Sequence, residues 1–109
     1  MNFDDYQKKS RRTAIYPNQG KNFIYPTLGL VGEAGEVAEK IKKVLRDKNN
    51  KFDQETKDKI SKEMGDVLWY LTQLATELNL SLDEIANDNI KKLMSRKKRG
   101  VLHGDNDER

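Results

Sequence analysis

An all-α fold is what this sequence predicts, on three observations. Good helix formers (Lys, Glu and Leu) are abundant and only two prolines occur in 109 residues. Apolar residues recur three and four apart over two long segments. No segment of useful length alternates with the period of a strand. Hydrophobic residues make up 35% of the chain and charged residues 36%, a polar balance common in charged helices that share a core with partner chains. The expected architecture is a single domain over residues 1–109, a four-helix-type bundle completed by oligomerisation.

The elements follow in order. A first helix is expected from Phe3 to Tyr16, stopping before Pro17, because the residue before a proline avoids the helical region. Pro17 to Pro26 contains Pro, Asn, Gly and two aromatics and reads as a loop. Thr27 is the expected N-cap of a second helix running to about Asp47, with a polar connection after it. A third helix is expected from Asp53 to Leu78. After a break at Asn79-Leu80, Ser81 with Glu84 has the form of a capping box, and the fourth helix runs to Lys98 before Gly100. About residues 100–109 form an expected flexible tail. Leu30, Ala34, Val37, Ile41 and Val44 make one apolar stripe. Ile60, Met64, Val67, Leu71, Leu74 and Leu78 make a second, and both are read as core in antiparallel packing.

Several classes are excluded. Without cysteine there is no disulfide scaffold, thiol nucleophile or thiolate zinc site. No apolar run approaches the ~18 residues of a membrane span, and the N-terminus is polar, so a cytoplasmic protein with no membrane partner is expected. The net charge of +3 is too slight to argue nucleic-acid binding. The one basic run, residues 91–99, holds six basic residues and no acid.

Two segments carry the chemistry. Glu33-Ala-Gly-Glu36-Val37 and Glu63-Met-Gly-Asp66-Val67 share the order acid, any, Gly, acid, Val. Acids three residues apart lie about 60° from one another around a helix axis, so each pair forms one patch. If the two stripes pack together, both patches reach the rim of one seam. Four like charges there raise one another's pKa or demand a cation. Oxygen ligands alone suit Mg²⁺, Mn²⁺ or Ca²⁺. The alternative is two solvated helix faces. Gly32, Gly35 and Gly65 fall inside helices, at a cost of about 1 kcal/mol each relative to Ala. Close helix approach and room for a ligand are equal explanations.

GLVGEAGEVAEKIKK followed by KEMGDVLWYLTQLATELNLSLDEIA resembles the MazG-like all-alpha nucleoside triphosphate pyrophosphohydrolases, of the small bacterial and phage type, over roughly residues 25–99. The resemblance rests on ExxE at Glu33 and Glu36, ExxD at Glu63 and Asp66, and the following LWYL. It implies Mg²⁺-dependent cleavage (Mn²⁺ as substitute) of a nucleoside triphosphate between its α- and β-phosphates, giving a monophosphate and pyrophosphate. Nucleotide-pool house-cleaning is the implied role. It also implies homodimers or homotetramers, with Glu33, Glu36, Glu63 and Asp66 as metal ligands and catalytic residues.

The same resemblance maps phosphate contacts onto Asn89, Lys92 and Arg96 of the fourth helix, where the plain reading is a solvated basic helix end. Trp69, Tyr70 and Tyr25, with Tyr16 and Phe23, are candidates to stack on a base; packing is the ordinary role of such rings. The single histidine, His103, lies in the tail and is read as a surface residue. Competing functions are a phosphoribosyl-ATP pyrophosphohydrolase, a dUTPase or dCTPase of the same superfamily, a non-catalytic basic helical nucleic-acid-binding or regulatory module, and a catalytically silent bundle. The nucleic-acid reading leaves both acidic pairs unexplained, because acids repel a phosphate backbone.

Overall fold

The structure, a computed structural model, describes residues 1–109 as four helices without strands: α1 Phe3–Arg11, α2 Ile24–Asp47, α3 Gln54–Glu77 and α4 Leu82–Lys98. The predicted all-α class holds.

α1 begins at Asn2, whose side chain accepts from the Asp5 N–H at 2.8 Å. It ends at Arg11, short of the expected Tyr16. Thr13 and Ala14 bond back three residues, to Ser10 and Arg11, so the chain tightens into turns. Tyr16 then swings inward and is buried. α2 begins before the expected cap. Pro26 occupies its first turn, where a missing N–H costs nothing. Asn22 accepts from the Tyr25 N–H at 3.0 Å, while the Thr27 hydroxyl donates back to the Phe23 carbonyl instead of capping. Asp53 caps α3 through the Thr56 N–H at 2.8 Å. Ser81 caps α4 through the Glu84 N–H at 3.2 Å, one half of the expected box. Asn79 (φ +57°) and Gly100 (φ +74°) end α3 and α4 in the left-handed region. Leu80 N–H to Ala75 C=O and Val101 N–H to Arg96 C=O complete a Schellman closure at each.

α2 and α3, each about 36 Å long at 1.5 Å per residue, pack as an antiparallel hairpin. α1 packs on α3, and α4 packs on α1. Gln7 is the pin. Its side chain donates to Thr76 Oγ1 and the Leu80 carbonyl and accepts from the Leu82 N–H. The Cα radius of gyration is 16.9 Å, against about 13 Å for a compact chain of this size. Only 12 of 109 residues are buried, and five of those are Ser10, Thr56, Thr72, Gln73 and Arg96. The expected apolar core is therefore thin. Of the two stripes Val44 and Ile60 are buried, while Met64, Leu71 and Leu78 stay exposed. Ala34, Val37, Met64, Val67, Leu68 and Leu71 line an open apolar groove of about 350 Å³ instead. No helix is long and apolar enough to cross a membrane.

Candidate functional site

The hairpin register positions the acids. Gly29 of α2 lies against the Tyr70 ring of α3, so close that a Cβ there would fall 2.2 Å from Tyr70 Cε1. Lower in the seam Lys40 Nζ lies 3.6 Å from Glu63 Oε1. Between these two points Glu33, Glu63 and Asp66 each offer a carboxylate oxygen, all within 4.8 Å of one another. Glu33 and Glu63 are half-buried and Asp66 is exposed. Glu36 stays outside this group, on the exposed side of α2. Glu33 holds the α2 position opposite Glu63 and Asp66, and Glu36, three residues on, is turned outward to solvent. The expected four-acid meeting is thus three acids together with Glu36 on the flank.

Charge at the cluster is poorly satisfied. The Glu33 carboxyl is pushed above its ordinary pKa by burial first. A hydrogen bond to Glu63, which forms only when one of the two carries a proton, and the negative charges of Asp66, Glu63 and Glu36 push the same way. Lys40 answers part of that charge through Glu63. Three oxygen donors without nitrogen or sulfur fit a hard divalent cation, and the raised Glu33 is the electrostatic demand such a cation would meet.

Aromatic rings close one end of the cluster. Tyr25 stacks on Tyr16 at 5.1 Å between centroids, and Tyr70 lies 6.5 Å from Tyr25. Trp69 meets Tyr70 edge-on at 5.0 Å and donates from Nε1 to Thr13 Oγ1 at 2.8 Å. Burial first, then Tyr25 and the negative charges of Glu33 and Asp66, raise the Tyr70 pKa. Tyr6 of α1 is raised by burial and by Asp66, so α1 also borders the acids. Phe23 is 55% exposed and outside this group of rings. Tyr16 is buried and committed to a hydrogen bond with Glu77.

Other expected site residues lie elsewhere in the chain. Asn89 and Lys92 line a depression of about 340 Å³ with Ile85 and Asp88, which shares no residue with the acid cluster. Arg96 is 4% exposed, covered by the returning tail. It donates to the Asp107 carbonyl and lies 3.6 Å from Asp107 Oδ1. The physical reason is that α4 packs on α1 rather than along the α2–α3 seam. Gly32, Gly35 and Gly65 face open space, so close approach within the chain does not explain them; Gly29 makes that approach.

Sequence reading also missed Glu77. Its side chain is fully buried and accepts from Arg11 Nη2 (2.7 Å), Tyr16 OH (2.7 Å), Gly20 N–H (2.9 Å) and Asn22 N–H (2.6 Å). Burial pushes its pKa up. Donation from the Asn22 N–H, Tyr16 OH, Gly20 N–H and Arg11 outweighs burial and holds it at about 2. An available signal was an acid in the last turn of a helix, where the dipole disfavours it unless something else binds it.

Fold and cluster together define an all-helical protein with a carboxylate group set between the arms of a hairpin. Residues 25–101 match the MazG nucleotide pyrophosphohydrolase domain, and the chain belongs to that family. It is 47% identical, over the full length of both chains, to the Gene 37 protein of Mycobacterium phage L5. No solved structure matches it.

Proposed function

We propose that the protein is a Mg²⁺-dependent nucleoside triphosphate pyrophosphohydrolase. The observation that carries this reading is the convergence of Glu33, Glu63 and Asp66 within 4.8 Å in a chain of the MazG family. Those three side chains, with Glu36 on the flank, would hold the ion, which when bound supplies neutralisation of phosphate charge and a more acidic water. The protein's own part is positioning, since phosphoryl chemistry of this kind needs in-line geometry more than a protein nucleophile. In the hydrolysis, water oxygen bonds to the α-phosphorus and the α–β bridging P–O bond breaks. Its electron pair leaves on pyrophosphate, and the water proton passes to a cluster carboxylate oxygen. Tyr25, Trp69 and Tyr70 border the acids on the side where a base would lie; Asn89 and Lys92 would meet phosphate only if another subunit supplies them.

That last point joins the exposed apolar groove. We read the groove of Ala34, Val37, Met64, Val67, Leu68 and Leu71 as the face that a second copy covers, completing the bundle as a dimer or a dimer of dimers. Light scattering at micromolar concentration should give at least a dimer, and a folded monomer would sink this reading. For the activity, the test is pyrophosphate release from a panel of canonical and modified ribo- and deoxyribonucleotides, phosphoribosyl-ATP, dUTP and dCTP included. Release should stop with EDTA. Orthophosphate as sole product, or release indifferent to EDTA, would overturn it.

A further inference from the structure

The α2–α3 seam changes character along its length. Steps of three or four residues keep Tyr70, Asp66, Glu63, Lys59 and Thr56 on one face of α3. Gly29, Glu33, Lys40 and Val44, at steps of four, seven and four residues, share one face of α2 running the opposite way. Aromatic rings, then carboxylates, then lysines therefore follow one another. Beyond the carboxylates the two helices border a half-open cavity of about 320 Å³ lined by Lys40, Lys43, Lys48, Lys59, Thr56, Asp47 and Val44. Its buried wall is firm: Val44 is 2% exposed and Thr56 7%. Lys48 Nζ, 2.8 Å from Thr56 Oγ1, ties the two helices together.

The cavity holds four lysines and one acid. Asp47 is already gripped by Arg46 through two hydrogen bonds of 2.8 and 2.9 Å. Lys43 and Lys59 contact only Glu39 (3.8 Å) and Glu55 (3.2 Å) on their own exposed helix faces, pairs that water makes weak and that an incoming anion can replace. Lys40 is the joint, lining the cavity while it lies 3.6 Å from Glu63 of the acid cluster.

We infer that this lysine cavity is the subsite for the β- and γ-phosphates of the substrate, so that the nucleotide lies along the seam with its base toward Tyr25 and Tyr70 and pyrophosphate departs toward the α2–α3 connection. The inference rests on the hydrolase reading above. Its chemistry follows from the bond that breaks. The bridging electron pair leaves on pyrophosphate, which then carries more negative charge than when it was esterified, and ammonium groups already in place meet that charge as it develops. A short polyphosphate fits here better than a nucleic-acid backbone, because carboxylates bound the cavity on one side and repel a chain that continues.

The test uses the full chain and inorganic pyrophosphate as probe. In EDTA-containing buffer, calorimetric titration should show binding that weakens about tenfold in Lys43→Ala/Lys59→Ala, the sum of two exposed ion contacts. The charge-matched control Lys97→Ala/Lys98→Ala, at the end of α4, should bind like the wild type. In the nucleotide assay, product inhibition by pyrophosphate should weaken in the same proportion in the double variant, with inhibition by nucleoside monophosphate unchanged. Equal pyrophosphate affinity in all three proteins, with turnover intact, overturns the subsite and leaves the hydrolase reading standing. Lysine-dependent pyrophosphate binding without turnover of any nucleotide overturns the hydrolase reading and the β,γ assignment with it. A single-stranded oligonucleotide that displaces pyrophosphate at lower concentration than pyrophosphate itself needs overturns the assignment in favour of nucleic acid.

Discussion

Glu33 and Glu77 are both glutamates set between helices, and their environments are opposite. Glu77 has four donors around one carboxylate, a guanidinium among them, and its pKa falls to about 2. Glu33 has two other acids within 4.8 Å and its pKa rises. Desolvation acts on both; the difference lies in what replaces water. At Glu77 the fold itself supplies the donors, so the charge fastens the Pro17–Asn22 loop and α1 to the end of α3. At the cluster the fold supplies more negative charge and one lysine, an arrangement that stabilises the protein only once something cationic is added. A carboxylate met by donors fastens the fold, whereas a group of carboxylates short of donors is where the proposed cation would be held.

The largest expected effect sharpens that contrast. With Glu33 as a proposed ligand, Glu33→Gln should lower pyrophosphate release by at least about a hundredfold, as loss of a ligand exceeds what loss of a supporting residue costs. Glu36→Gln, on the flank, should also remove most turnover. Without metal, Glu33→Gln should raise the melting temperature, by about 0.5–1 kcal/mol of stability, because a like-charge repulsion is gone. Mg²⁺ should then stabilise the wild type more than the variant, by mass action. Melting temperature against Mg²⁺ concentration, beside pyrophosphate release, checks all of this; equal Mg²⁺ responses would remove Glu33 from the site.

Glu77 should behave the other way. Its pKa drops from 4.5 to about 2 on folding, so its contribution is present in full above about pH 4.5 and is lost as pH falls through 2. That contribution is about 3 kcal/mol at neutral pH. Glu77→Gln should cost a similar amount, leave Mg²⁺-dependent stabilisation in place, and flatten the acid limb of the stability curve. Denaturant titrations of both proteins from pH 6 to pH 2 measure it, and parallel curves would refute the assignment.

The smallest effects separate the glycines. Gly29→Ala forces the Tyr70 ring to move from a Cβ otherwise 2.2 Å away, at a cost of about 1–3 kcal/mol. Gly32→Ala and Gly65→Ala meet nothing within the chain and should stabilise an isolated helix pair by about 0.5–1 kcal/mol. If either instead destabilises the protein or lowers its oligomeric state, the space over that glycine is filled by a second subunit. Thermal melts with light scattering distinguish the two outcomes.

Helix content, the ends of α3 and α4 and the approach of three of the four expected acids were legible in the sequence, because each depends on local chemistry, while Glu36 falls outside the group. Caps act over three or four residues, and the phase of Glu33, Glu63 and Asp66 relative to the apolar stripes follows from 3.6 residues per turn. Tertiary structure decided what depends on neighbours distant in the chain. It ended α1 at Arg11 because Tyr16 is drawn to Glu77, 61 residues away. It gave the close approach to Gly29 rather than Gly32, Gly35 or Gly65, since register across the hairpin selects which glycine meets a ring. It packed α4 on α1, which parts Asn89 and Lys92 from the acids and buries Arg96 under the tail. A sequence states which residues share a helix face; which face meets which depends on the packing energy of the whole chain, summed over contacts that no local pattern encodes.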